Sequence, residues 1–135
     1  MALNLEIVTP EKKTYSGEVE SVVVPGTQGE LGILPGHVGL MTQIEPGELV
    51  VMEKGREIRL AVGGGFVEVL NNRVSVLTDM AIREDEIDVS AAEEAMRRAE
   101  IAMREQKVGS EEHATVQASL QKSLAQLKVK RRRQV

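Results

Sequence analysis

Residue types that usually carry chemistry are few in this chain: two histidines, His37 and His113, no cysteine, and isolated serines. The histidines lie in different halves, and neither has a second ligand at a metal-binding spacing such as His-x-x-x-His. His37 follows Pro35-Gly36 and reads as a turn residue that hydrogen-bonds loop backbone, in preference to a proton-transfer group. Ser16, Ser21 and Ser75 sit in no nucleophile elbow, and without cysteine there is no thiolate to attack an acyl group. Gly63-Gly64-Gly65 has the glycine density of a phosphate cradle. No Lys-Ser/Thr follows it, however, and Phe66-Val67-Glu68-Val69-Leu70 reads as a strand where a phosphate loop needs a helix. The triplet is expected to be a strand bend or a close backbone contact. Glu84-Asp85-Glu86 are adjacent carboxylates in a polar linker, expected to be solvated and not to share acid/base work. The reading has no catalytic residue, no metal site and no enzyme activity.

The elements that hold these residues change character part-way along. From Leu3 to Asp79 the apolar residues fall in short runs: Leu3-Leu5-Ile7, Val19 to Val24, Val38-Leu40, Leu49 to Met52, Ile58 to Val62, Phe66 to Leu70 and Val74 to Leu77. Pro25-Gly26, Pro35-Gly36, Pro46-Gly47, Lys54-Gly55 and Asn71-Asn72 stand between them as turn signals, at the spacing of hairpins in an all-β sandwich or barrel. After Ile87 glycine and proline vanish except for Gly109, and good helix formers dominate. Ser90-Ala91-Ala92-Glu93 reads as a capping box. Gly109-Ser110 breaks the run, and a second helix is expected from Glu111 to about Lys130, closing a helical hairpin. The fold class is thus a mainly β sandwich over residues 1–86 and an antiparallel two-helix hairpin over residues 87–135.

The helix faces are small. The first offers Ala91, Ala95, Ala99 and Ala102 beside Met96 and Met103, and the second Val116, Leu120, Leu124 and Leu127 beside Ala114, Ala118 and Ala125. At roughly 25 cal/mol per Å² such faces contribute only a few kcal/mol against the entropy of ordering about 45 residues. The hairpin is therefore expected to be marginal alone and mobile, docking on its own sandwich in one state and on a partner in another.

The net charge of -4 conceals an asymmetry: residues 1–88 carry 7 basic and 15 acidic side chains, residues 89–135 carry 10 and 6. An acidic body with a basic C-terminal segment suggests that the segment meets an anionic partner. Nucleic acid is disfavoured, because Tyr15 and Phe66 are the only aromatics available to stack on bases. No apolar run approaches the roughly 20 residues that cross a bilayer, and Met1-Ala2-Leu3-Asn4-Leu5-Glu6 lacks the basic start and apolar core of a secretory signal. Any membrane contact is expected to be peripheral or through another protein.

One stretch is more specific than the rest. Gly29-Glu30-Leu31-Gly32-Ile33-Leu34-Pro35-Gly36-His37, followed by Leu40-Met41-Thr42 and Glu45-Pro46-Gly47, closely resembles the sandwich domain of the epsilon subunit of F-type ATP synthases, of bacterial type. Gly63-Gly64-Gly65-Phe66-Val67-Glu68-Val69, Val74 to Ala81 and the alanine-rich hairpin extend the resemblance over nearly the whole chain. It implies a sandwich of about ten strands and two helices, in a non-catalytic central-stalk subunit that couples the gamma subunit to the ring of c subunits. The location implied is the cytoplasmic face of the bacterial inner membrane, as a peripheral subunit. By this similarity Glu30, Leu31 and His37 mark the end of the sandwich that meets the c ring.

The hairpin resembles the family's inhibitory element, which extends into the catalytic head and restrains ATP hydrolysis. Lys122, Lys128, Lys130, Arg131, Arg132 and Arg133 would then face an acidic segment of the beta subunits, although a cationic helix end also satisfies its own dipole. In some members the hairpin binds ATP through a motif that begins Ile/Leu-Asp-x-x-Arg-Ala and ends in a second Arg-Ala. This chain has Ile87-Asp88-Val89-Ser90-Ala91-Ala92 and then Arg98-Ala99. Asp88 and Arg98 match, but Ala91 stands in the place of the first arginine. Losing one charge-assisted contact costs on the order of 1.5 to 3 kcal/mol, so ATP is expected to be at most a weak regulatory ligand, with no other cofactor. The alternative reading is a free-standing sandwich adaptor whose basic tail docks on anionic lipid or nucleic acid.

Overall fold

The computed structural model of the chain describes residues 2–105 and 109–132. Ten strands come first: β1 (Leu3–Val8), β2 (Lys13–Val19), β3 (Ser21–Gly26), β4 (Gly29–Ile33), β5 (Leu40–Ile44), β6 (Gly47–Glu53), β7 (Arg56–Val62), β8 (Gly65–Leu70), β9 (Arg73–Thr78) and β10 (Ala81–Arg83). A single 3-10 turn (Glu84–Glu86) leads to α1 (Val89–Glu105) and α2 (Glu111–Arg132).

Alternation builds the strands. Leu3, Leu5 and Ile7 of β1, Val67 and Val69 of β8, and Val74 and Val76 of β9 point inward while their neighbours point out. The strands pair in the order β10-β7-β6-β3-β5-β8-β9-β1-β2, with β4 added to β3. Every pairing is antiparallel except that of β1 with β9. Between β3 and β5 the ladder thins to one pair, Gly26 with Ile44, and there the sheet folds over. One layer is β10-β7-β6-β3-β4 and the other β5-β8-β9-β1-β2. Inward residues of both, including Leu3, Ile7, Val22, Val24, Leu49, Leu60, Val67 and Val76, form one core. On the open side the Tyr15 hydroxyl of β2 donates to Glu53 Oε2 of β6, and Arg83 lies 5.5 Å from the centre of the Tyr15 ring.

Several local expectations shift. Pro25-Gly26 ends β3, and the turn falls at Thr27-Gln28; Gly26 is needed there because a Cβ would come 2.7 Å from the Gly29 carbonyl oxygen. Gly29–Ile33, within the glycine-rich stretch, forms β4 by pairing Leu31 with Val24 and Ile33 with Val22. Val38 lies outside β5 and is exposed. Lys54-Gly55 and Asn71-Asn72 do turn the chain, with positive φ at all four residues, the geometry of tight two-residue hairpins.

The helix start also differs. Asp88 Oδ1 accepts from the Ala91 N–H at 3.1 Å and Asp88 O from the Ala92 N–H at 3.0 Å, so Asp88 caps α1. The Ser90–Glu93 capping box does not form, because Ser90 already lies inside the first turn. The buried face of α1 is Ala92 and Ala99 with Met96, Ala102 and Met103 half-buried, while Ala91 and Ala95 are exposed; the expected face is kept in part and turned by less than one residue, with Ala92 in the place of Ala91. In α2, Ser110 Oγ accepts from the His113 N–H at 3.1 Å. Ser123, Ala125, Leu127 and Val129 are buried, whereas Leu124, Ala114 and Ala118 are exposed. The reason is that α2 has two neighbours: it packs on α1 and also on β6 and β7.

Candidate functional site

The hairpin is folded back on the outer face of the β6-β7-β10 layer. Ala61 of β7, Ile87, Ala125 and Val129 form a small buried cluster, with Met80 and Ile82 packed against it. Polar contacts rim this cluster. Lys122 Nζ stands 3.0 Å from Asp79 Oδ2, Gln126 Nε2 lies 3.2 Å from Met80 Sδ, and Lys130 Nζ donates to Glu84 O at 3.2 Å. Glu84 is itself buried, against the expectation of a solvated linker, because the 3-10 turn tucks it beneath the end of α2.

The glycine triplet explains how Asp79 and Met80 reach α2. Gly63 N donates to Met80 O at 2.9 Å, and Thr78 Oγ1 donates within reach of both Gly64 O and Met80 O at 3.1 Å. A Cβ at Gly63 would overlap Asp79 Oδ1, and one at Gly65 would overlap the Leu77 carbonyl oxygen. The triplet is thus a close backbone contact, as expected, and what it admits is the Thr78–Met80 corner that carries α2. Sequence reasoning missed Asp79 and Met80. The available signal was the triplet, which reports a close approach without naming what approaches.

The opposite layer presents a different surface. Outward residues of β5, β8 and β9 include Met41, Phe66 and Leu77, exposed by 64%, 48% and 50%. Phe66 and Leu77 are directly paired across the ladder, and an apolar depression of about 350 Å³ lined by Val8, Pro10, Gly65 and Leu77 adjoins them. Beside the β3–β4 turn, Glu30 is exposed and Leu31 packs partly on the core, near the start of β8, whereas the His37 loop lies by the turn at its far end. His37 N donates to Leu34 O at 3.1 Å and His37 Nδ1 lies 2.8 Å from Val38 O, so His37 holds its own loop, as expected. Gly36 N donates to Asn72 Oδ1 at 2.7 Å, which ties this loop to the β8–β9 turn.

Residues 2–84 match the family described as ATP synthase, Delta/Epsilon chain, beta-sandwich domain, and residues 85–131 its companion, the long alpha-helix domain. The chain belongs to the epsilon family of ATP synthase subunits. An ATP synthase epsilon chain of Dehalococcoides mccartyi is 45% identical over 131 residues, covering 97% of this chain and 94% of that one. One of Herpetosiphon aurantiacus is 43% identical over 129 residues, covering 96% and 94%. A chain in a cryo-EM structure of the Euglena gracilis mitochondrial ATP synthase with its c-ring superposes with a TM-score of 0.75 at 22% identity, covering 94% of this chain and 79% of that chain, which shows a shared fold.

In this epsilon-family chain the residues matched to the nucleotide motif stand apart. Asp88 caps α1, and Arg98 pairs with Glu94 one turn earlier, on an exposed face. Ten residues of chain separate them, about 15 Å of helix rise. Of the basic set, Lys122 and Lys130 contact the sandwich, and Arg131 lies 3.7 Å from Glu93 of α1. Lys128 is exposed. Arg132 ends α2, and Arg133 falls outside the described residues. Among the described residues no group of three or more His, Asp or Glu side chains could hold a metal ion, and no helix is long and apolar enough to cross a membrane.

Proposed function

We propose that this epsilon-family chain is a central-stalk rotor subunit of a proton-translocating F-type ATP synthase. The sandwich, residues 1–86, couples the gamma subunit to the c ring; the hairpin, residues 87–135, restrains ATP hydrolysis when it leaves the sandwich and meets the beta subunits. The subunit has no reaction of its own. It sits peripherally at the cytoplasmic face of the bacterial inner membrane, with membrane contact only through the complex. ATP, if it acts on the hairpin, does so weakly, since Ala91 offers no guanidinium beside Arg98.

The observation that carries this reading is the outer face of β5-β8-β9. Phe66 and Leu77, paired across β8 and β9, and Met41 on the neighbouring β5 are large apolar side chains left in water, and exposed apolar side chains clustered in this way suit a protein contact. This face lies on the layer opposite the hairpin, so gamma can occupy it without displacing α2. Glu30, Leu31 and His37 are then the residues assigned, by family resemblance, to the c-ring contact. The adaptor alternative is not favoured: Lys130 and Arg131, two of the five basic residues in its tail from Lys128 to Arg133, are already engaged within the chain.

Co-purification tests the face. The parent chain should come down with gamma, and the double variant Phe66→Glu, Leu77→Glu should not, while its circular dichroism stays that of the parent. Retention of gamma by the double variant would place the contact elsewhere.

A further inference from the structure

The Gly63/Asp79 corner has properties that a passive resting place for a helix does not need. Asp79 is a carboxylate laid flat over a glycine: Oδ1 lies against the Gly63 Cα, where any side chain would displace it, and Oδ2 faces Lys122 at 3.0 Å. The backbone on both sides is pinned, by Gly63 N to Met80 O and by Asp79 N to Gly64 O at 3.3 Å. One turn along α2 from Lys122, Gln126 meets Met80, and one turn further Lys130 meets the Glu84 carbonyl. Lys122, Gln126 and Lys130 thus form a polar line at i, i+4, i+8 along one edge of the helix. The apolar part of the contact is small, with Ala61, Ile87, Ala125 and Val129 as its buried members. With so little apolar area, the polar line carries a sizeable share of the difference between docked and released hairpin.

We propose that the Gly63/Asp79 corner is a latch that sets the fraction of hairpin folded back, through the bond from Asp79 to Lys122. The latch exchanges charge: Lys122 cannot serve Asp79 and an acidic partner surface at once, so a partner that takes Lys122 releases α2. Glycine at position 63 belongs to the device, because it alone lets the carboxylate point at the helix. This deepens the hairpin part of the proposed function, yet the latch is a property of the free chain and is tested there, so its failure leaves the rotor reading untouched.

The test is single-molecule energy transfer on the full chain, with dyes on Glu11→Cys and Ala118→Cys. Both positions are exposed, and no other thiol is present. Asp79→Asn should raise the open-to-folded ratio about two- to five-fold, the range carried by one partly exposed ion pair. Lys122→Ala reads the same bond from the helix surface, where the sandwich core cannot be disturbed. The swapped pair Asp79→Lys, Lys122→Asp should return the ratio towards the parent value. Gly63→Ala should open the parent to a similar extent but add nothing on an Asp79→Ala background. Raising KCl from about 0.02 M to about 0.5 M should open the parent more than Asp79→Asn. An unchanged ratio in both Asp79→Asn and Lys122→Ala, or equal opening by Gly63→Ala with and without the Asp79 carboxylate, overturns the latch.

Discussion

Tyr15 is the only tyrosine and the chain has no tryptophan, so its ionisation can be followed by absorbance without interference. Burial, then the hydrogen bond to Glu53 and that carboxylate's charge, hold the hydroxyl protonated well above its ordinary value of 10.0, with Arg83 opposing. A raised folded-state value means that the stabilisation is complete below the unfolded-state value and is lost as pH rises through the folded one. The tyrosinate band of the native chain should therefore be absent at pH 10.5 and appear only together with unfolding. Between pH 10 and 12 the parent should lose stability more steeply than Tyr15→Phe, as measured by urea denaturation at each pH. At neutral pH Tyr15→Phe leaves Glu53 without its donor, and the expected loss is about 1.5 to 3 kcal/mol, the range for hydrogen bonds to charged groups. Gly65 makes a separate case: a Cβ there meets backbone, which cannot turn aside, so Gly65→Ala should cost about 3 kcal/mol in the same denaturation assay.

At the scale of elements, α1 and α2 should be less firmly held than the sheet, because their contact cluster is small and separate from the sandwich core. Asp88, and not Ser90, caps α1, so Asp88→Ala should lower hairpin stability by about 1 kcal/mol, while Ser90→Ala, at an exposed helical position, should leave it unchanged or slightly raised. Leu127 is fully buried between the hairpin and its surroundings, and Leu127→Ala should cost about 2 kcal/mol or more. Hydrogen exchange should localise that loss to the amides of α1 and α2, leaving β1 and β9 protected as in the parent. The sequence made the period change at Ile87 legible, because strand alternation and helical spacing differ and only the second half lacks turn residues. It made the break at Gly109-Ser110 legible for the same reason. It did not reveal β2, in which only Tyr15 and Val19 are buried, or that Ala92, Ser123 and Val129, in place of Ala91, Ala95 and Leu124, complete the buried faces of the helices. A helix with two neighbours buries residues on two sides, so Ser123 and Leu127 sit about 200° from Ala125, and no single stripe describes α2. Of the candidate site, the role of His37 as a loop-holding residue and the close contact at Gly63 could be read from glycine and proline chemistry. Asp79 could not, since a charged residue after a strand looks the same whether it faces water or a lysine 43 positions further along the chain.

For the whole molecule, the proposed function assigns different partners to the two outer faces of the sandwich. The β6-β7-β10 face holds the folded-back hairpin, with Lys122, Lys130 and Arg131 engaged within the chain, and the β5-β8-β9 face exposes apolar side chains. A double layer with one continuous core between these faces resists relative motion of its strands, which suits a part that passes torque from one neighbour to another. The hairpin, by contrast, can leave without opening that core, because its contact cluster is separate from it. Coupling and restraint should therefore be separable by truncation. The decisive measurement is ATP hydrolysis and proton pumping by the cognate synthase depleted of this subunit, after adding back either the full chain or a chain ending at Ile87. The account expects both to restore pumping and only the full chain to suppress hydrolysis; if neither changes either activity, or if the truncated chain suppresses hydrolysis as well as the full one, the account is contradicted.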